Sequence, residues 1–167
     1  QDSGIGYGID SGGDITPIAY SDAAFMVHEE CKSRTGVVIY MCDGVVYTKS
    51  KKQSLVSKSS SEAELIAICD GATAAIGIRN FLLEQSHKID PVILKEDNTA
   101  VITMLKAGKS MSARTKHIDL QYYFVYDRMQ SNEVMLEYCK SEEMLADIMT
   151  KPLIGHKFKF IVEKLVQ

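Results

Sequence analysis

Most features that mark specialised classes of protein are missing from this 167-residue chain. No unbroken run of about 18 apolar residues occurs, so no segment is expected to span a bilayer, and no signal peptide opens the chain. The first residues are Gln1-Asp2-Ser3-Gly4 rather than Met, which leads to the expectation of a piece excised from a longer polypeptide. The four cysteines, Cys31, Cys42, Cys69 and Cys139, are scattered and form no CxxC pair. That spacing argues against a structural zinc site and against a disulfide framework, and leaves buried free thiols as the expected state. A basic excess is missing as well: the net charge is −3, whereas nucleic-acid binders more often carry surplus Lys and Arg. Internal repeats are absent.

The composition that is present, 46% apolar and 25% charged, suits one globular domain able to bury a core. Residues 1–16 are rich in Gly, Ser and Asp without periodicity and read as a flexible leader to a domain over 17–167. Strands are expected over Ile18 to Phe25, Thr35 to Met41 and Val45 to Thr48, with Asp43-Gly44 as the hairpin signal. From Ser59 the period becomes helical: Leu65, Ile68, Cys69, Ala72, Ala75, Ile76, Leu82 and Leu83 line one long helix. Ser59 with Glu62, or Ser61 with Glu64, offers its capping box. A strand over Val92 to Leu94, a helix from Asp97-Asn98-Thr99 to Leu105 stopped by Gly108, and a helix from Ile118 to Met129 follow. A strand over Val134 to Tyr138, a helix from Ser141 closed by Pro152, and a helix over Phe158 to Leu165 complete the order. The pattern predicts an α/β domain, a mixed sheet with helices packed on it.

Four acids stand at informative places. Asp22 interrupts an apolar strand, where a carboxylate is costly unless paired or metal-bound. Asp97 follows directly on the fourth strand, and it either caps the next helix or serves a site at that junction. Glu64 lies in the first turns of the long helix, where acids also suit the positive helix end. Asp147 falls in the helix expected after the last strand and, taken alone, reads as a surface acid. Brought together without His or Cys, such carboxylates suit Mg²⁺ or Mn²⁺ rather than zinc. Two such ions about 4 Å apart can act on a phosphodiester. Two basic runs, Lys49, Lys51, Lys52 and Lys58, then Lys109, Arg114, Lys116 and His117, are solvated surface or phosphate contacts.

The stretches Tyr20-Ser21-Asp22-Ala23, Ser59-Ser60-Ser61-Glu62-Ala63-Glu64-Leu65, Glu96-Asp97-Asn98, Arg114-Thr115-Lys116-His117-Ile118-Asp119 and Leu145-Ala146-Asp147-Ile148-Met149-Thr150-Lys151-Pro152-Leu153 occur in that order. As an ordered set, covering roughly residues 18 to 166, they resemble the RNase H domain of Ty1/copia-type LTR retrotransposon polyproteins, which lies C-terminal to the reverse transcriptase. The resemblance implies the RNase H fold, a five-stranded mixed sheet ordered 3-2-1-4-5. It also implies an endonuclease, a hydrolase that degrades the RNA strand of RNA·DNA hybrids during reverse transcription. Asp22, Glu64, Asp97 and Asp147 become the catalytic and metal-binding set for two Mg²⁺ ions, with Mn²⁺ as a substitute. The implied reaction is in-line hydrolysis leaving 5′-phosphate and 3′-hydroxyl ends.

Glu62 and Glu64 point about 200° apart on a helix and cannot serve one site together. The run Glu64-Leu65-Ile66-Ala67 resembles the ligand-bearing stretch of other RNases H, so Glu64 is taken for the site and Glu62 for the cap. Lys49, Lys51 and Lys52, just after the third strand, with Arg114, Lys116 and His117 at a helix start, are candidates for the hybrid backbone. Ser61 and Asn98 are further candidates, and 2′-hydroxyl contacts would select RNA. The implied partners are the hybrid and the reverse transcriptase domain of the same polyprotein, with no membrane, inside a cytoplasmic virus-like particle.

Three departures from the family pattern stand out. Ala24 replaces an acid on the Asp22 side of the strand. The link Lys140-Ser141-Glu142-Glu143 lacks a His-bearing loop, and Ala107 to Ala113 is too short for a basic protrusion. Weak binding by the domain alone, with dependence on the reverse transcriptase, is therefore expected. Two rivals remain: a catalytically weak or inactive binding module on the same fold, and an integrase-like nuclease acting on DNA.

Overall fold

A computed structural model of the chain describes residues 15–27, 29–108 and 116–166. Five strands, β1 (Ile18–Ala24), β2 (Arg34–Met41), β3 (Gly44–Lys52), β4 (Val92–Glu96) and β5 (Val134–Tyr138), form one sheet in the order β3-β2-β1-β4-β5. The β3-β2-β1 half is antiparallel, and β4 and β5 run parallel to β1. The predicted sheet order is therefore the observed one.

Local chemistry explains the hairpin. Met41 pairs with Gly44, so the two loop residues are Cys42 and Asp43, at φ 50° and 59°. Positive φ at both positions matches the twist of the flanking strands, and the turn sits one residue earlier than the Asp43-Gly44 expectation. Strand β3 also runs on to Lys52, which pairs with Arg34. Lys49, Lys51 and Lys52 thus lie within an edge strand, where long cations keep their ammonium groups in water and block edge-to-edge pairing, rather than after it.

Helix α1 (Ser60–Glu84) starts at Ser59, whose hydroxyl accepts from the Glu62 amide at 3.2 Å. Glu62 reaches back to the Lys58 amide at 2.6 Å, so it serves the helix start, one residue outside the standard capping box. Leu65, Ile68 and Ala72 of α1 pack on Ala19, Val37 and Ile39 of the sheet. By length and a mean hydropathy of 1.4, α1 could cross a membrane, although no unbroken apolar run marks it. In this fold half of its apolar window is buried, and it serves as the central core helix.

Helices α2 (Thr99–Ala107) and α3 (Lys116–Gln130) share the α1 side, where Leu105, Tyr122 and Val125 join the same core. The opposite face, with Val38 and Val45, is covered by Leu145 and by Ile161 of α4 (Gly155–Leu165). The four cysteines are free, but only Cys69 and Cys139 are buried; Cys31 is exposed and Cys42 partly so.

One expected element does not form. In place of a helix from Ser141 to Pro152 there are two short 3₁₀ turns, Ser141–Glu143 and Leu145–Met149, separated by Met144 in extended conformation (φ −70°, ψ 98°). Met144 is fully buried with Cys139 and Ala146, so packing interrupts the helical pattern. The second turn lies directly over Gly36 of β2. A Cβ there would fall 2.6 Å from Thr150 Cγ2, 2.8 Å from the Ala146 carbonyl oxygen and 2.8 Å from Met149 Cβ.

Candidate metal centre

Strand register brings the first two acids together. Ile18 pairs with Ile93 and Tyr20 with Lys95, and continuing that register sets Asp22 level with Asp97. This is the carboxyl end of adjacent parallel strands, the position where α/β sheets hold ligands. Glu64, from the first turns of α1, completes the group: one carboxylate oxygen from each of Asp22, Glu64 and Asp97 lies within 4.8 Å of the others. Asp22 and Glu64 are buried and Asp97 is partly buried. The structure thus brings Glu64, and not Glu62, to Asp22 and Asp97.

Asn98 performs the capping that Asp97 could have performed. Its Oδ1 accepts from the amides of Ala100 (3.0 Å) and Val101 (3.3 Å), so its side chain is committed to α2. Asp97 is left to the site, where the Ser141 hydroxyl donates to its Oδ2 at 2.6 Å.

Asp147 is as buried as Asp22, at 1% exposure, but lies outside the group of three that converge. Lys151 bridges the two, its Nζ 2.9 Å from Asp22 Oδ1 and 2.6 Å from Asp147 Oδ1. Thr150 donates to Asp22 Oδ2, and Lys157 of α4 pairs with Asp147 Oδ2. Gly36 is the register partner of Asp22, so its missing side chain gives the Thr150–Lys151 segment access to that carboxylate.

Glu96, which the sequence reading passed over, is fully buried beside this group. The alternation along β4 was the available signal, because it places Glu96 on the same side as the buried Leu94 and Val92. One oxygen accepts from the Asn98 amide at 3.0 Å; the other, like Glu64 Oε2, has no partner among the described residues. Burial pushes the Glu64 carboxyl up to about 10, with Glu96, Asp22 and Asp97 adding repulsion. Burial likewise pushes Glu96 up to about 8 and raises Asp22, whose shift is opposed by Thr150 and Lys151.

These shifts set a pH dependence. Acids raised on folding bind more protons in the native state, so stability is fully present below their unfolded values and is lost as pH rises through the folded ones. The metal-free domain is therefore expected to melt at a lower temperature at pH 8 than at pH 5, and Mg²⁺ to shrink that difference. Thermal melts in chelator and in Mg²⁺ check this; a melting temperature that climbs from pH 5 to pH 8 in chelator would refute it.

A hard cation fits these residues. Among the described residues two buried carboxylate oxygens lack partners, the converging donors are all oxygen, and neither His nor Cys belongs to the group. Among the other expected contacts, Lys51 and Lys52 are exposed on β3, Lys52 lies 3.5 Å from Glu30, and Lys49 pairs with Asp70 at 3.0 Å. Ser61 is partly exposed at the start of α1. Lys116 and His117 begin α3, while their side chains, and Arg114 as a whole, lie outside the described residues.

A mixed 3-2-1-4-5 sheet, with acids gathered where β1 and β4 end, defines an RNase H fold. Residues 20–144 match the model of the family described as reverse transcriptase-like, and the chain belongs to that family. It is 30% identical over 149 residues to the retrovirus-related Pol polyprotein from transposon RE1 of Arabidopsis thaliana, covering 88% of this chain and 10% of the relative. It is 27% identical over 151 residues to the transposon Ty1-JR1 Gag-Pol polyprotein of Saccharomyces cerevisiae, covering 89% and 8%. The chain thus spans about a tenth of the length of the curated relatives it matches.

Among solved structures it resembles LC11-RNase H1 isolated from compost (TM-score 0.61, 14% identity, 81% and 92% of the two chains). That enzyme has also been solved in complex with an RNA/DNA hybrid (TM-score 0.55, 13% identity, 80% and 93%). The prototype foamy virus protease-reverse transcriptase is similar too (TM-score 0.59, 15% identity, 89% and 22%).

Proposed function

We propose that this domain is a ribonuclease H that cuts the RNA strand of RNA·DNA hybrids during reverse transcription, by in-line hydrolysis giving 5′-phosphate and 3′-hydroxyl ends. The observation that carries the reading is the convergence of Asp22, Glu64 and Asp97 at the ends of β1 and β4, with a buried Glu64 oxygen left unpartnered. These three residues would hold one divalent ion, and Asp22 with Asp147 a second. Bound there, Mg²⁺ supplies Lewis acidity toward a phosphodiester and toward water, with Mn²⁺ as a substitute.

The chain's own residues do the orienting. Ser141 holds the Asp97 carboxylate, Thr150 holds Asp22, and Asn98 relieves Asp97 of capping α2. Lys51 and Lys52 on the exposed β3 edge, with Arg114, Lys116 and His117 before and at the start of α3, would take the hybrid backbone. Ser61 and Asn98 are neighbours of the site that would approach it. Lys49 would have to exchange Asp70 for phosphate.

The polyprotein relatives, together with a reverse transcriptase neighbour on the same fold, support a reverse transcriptase domain as partner, and a cytoplasmic virus-like particle is the setting this reading proposes.

Mg²⁺-dependent cleavage of a labelled hybrid tests the reading, with Asp97→Asn as control, alone and with a polymerase domain added. Cleavage of the RNA strand by the wild type and loss of roughly 10²-fold or more in the variant are expected, the size of effect that follows from losing several kcal/mol of metal-borne stabilisation. Ala24, buried on the Asp22 side of β1 where the family has an acid, favours one other reading, a binding module. No cleavage under either condition would select it.

A further inference from the structure

Two cation positions flank Asp22, and they are unlike. On one side, Asp22, Glu64 and Asp97 converge with a Glu64 oxygen that has no partner among the described residues. On the other, the gap between Asp22 and Asp147 already holds a cation, the Lys151 ammonium, 2.9 Å from one carboxylate and 2.6 Å from the other. The remaining oxygens there are engaged as well, Asp22 Oδ2 by Thr150 and Asp147 Oδ2 by Lys157.

We propose that Lys151 is a built-in counter-ion occupying the second cation position, so that without nucleic acid the domain takes one divalent ion, at Asp22, Glu64 and Asp97, and not two. The inference rests on the metal centre proposed above and concerns how many ions it admits.

The backbone fixes the lysine in place. Its amide donates to the Asp147 carbonyl at 2.9 Å, and the Thr150 amide donates to the same oxygen at 3.1 Å, so the turn that presents Asp147 also presents Lys151. A divalent ion bridging Asp22 and Asp147 needs oxygens at about 2.0–2.1 Å for Mg²⁺, in the space the ammonium fills. An ion bridging the two carboxylates would have to displace the ammonium, because Lys151 Nζ already takes one oxygen of each. Buried carboxylates without a counter-charge are unfavourable, which explains why Asp147, farther from the open position, carries two lysines. Lys151 is 42% exposed at its side chain, so its four-carbon stem has room to turn outward toward a polyanion.

Counting Mn²⁺ ions bound to the full chain, by calorimetric titration and by the electron paramagnetic resonance signal of free Mn²⁺, tests this directly. One ion is expected for the wild type and for Lys151→Arg, and two for the neutral Lys151→Met and Lys151→Gln. Circular dichroism identifies any variant that fails to fold, and the wild-type count stands without the variants. Two ions in the wild type, or one in a folded neutral variant, would overturn the proposal while leaving the metal centre intact. No ion in any protein would overturn the metal centre itself, and the counter-ion proposal with it.

Discussion

Replacing Glu64 by Gln is expected to stabilise the metal-free domain at pH 8 while removing both the proposed cleavage activity and the proposed response to Mg²⁺. Glu64 is buried, one of its oxygens has no partner among the described residues, and its neighbours are Glu96, Asp22 and Asp97. Burial and that repulsion raise its carboxyl to about 10, so at pH 8 folding must either take up a proton or bury a repelled charge. Glutamine keeps the shape and removes the charge. A gain on the order of 2 kcal/mol follows, which for a domain of this size is roughly 4–8 °C in melting temperature. The gain should shrink toward pH 5 and vanish below the ordinary value of 4.5, where the carboxyl is protonated in the unfolded chain too and folding takes up no proton.

Opposite signs for stability and activity separate a metal ligand from a residue that merely packs. Loss of one of three converging ligands removes several kcal/mol of electrostatic stabilisation, roughly 10²–10⁴ in rate. Thermal melts with and without Mg²⁺ at the two pH values, beside a hybrid-cleavage assay, check both halves. A Glu64→Gln domain less stable than wild type at pH 8, and still raised in melting temperature by Mg²⁺, would refute the assignment.

Gly36→Ala is expected to be the most damaging single-methyl change in the sheet. The added Cβ would meet Thr150 Cγ2 at 2.6 Å, and the Ala146 carbonyl and Met149 Cβ at 2.8 Å. Only the first of these is the end of a side chain; the other two move only with the backbone of the 3₁₀ turn. Overpacking of this kind costs on the order of 2–3 kcal/mol, roughly 4–12 °C here. The displaced turn would carry Thr150 and Lys151 away from Asp22, so activity should fall together with stability.

Gly77→Ala is the internal control. It lies in α1 with nothing within 4 Å of its added Cβ, and it should stabilise by about 0.5–1 kcal/mol through helix propensity alone. Equal melting temperatures for wild type and Gly36→Ala would show that the turn does not depend on that close approach.

These two residues differ in how far the sequence announces them. Helix geometry made Glu62 and Glu64 legible as alternatives about 200° apart, and the resemblance of Glu64-Leu65-Ile66-Ala67 to other RNases H pointed to Glu64. Asp22 was legible as a carboxylate inside an apolar strand, and Asp97 as an acid at a strand-to-helix junction, where cap and site stood as even alternatives until the structure gave the cap to Asn98. Glu96 carried a signal in the alternation of β4 that went unread. Lys49, Lys51 and Lys52 were placed after β3 because a lysine run looks like a strand's end, whereas an edge strand accommodates it.

The segment from Ser141 to Pro152 misled for a different reason. Its helical pattern is genuine over a few residues, but burial of Met144 and the approach of the second turn to Gly36 outweigh it. The pairing of Lys151 with Asp22 had no local signal: the two meet across 129 positions of chain.

By itself, then, the sequence determined the order and type of most elements and a set of four carboxylates suited to a hard cation. Periodicity, turn chemistry and the cost of burying charge all act over a few neighbouring residues and can be read there. Only the tertiary structure decided that the last turn docks over a residue without a side chain and that Lys151 fills the gap between Asp22 and Asp147. Those outcomes depend on which distant surfaces have room to touch, and packing alone settles that.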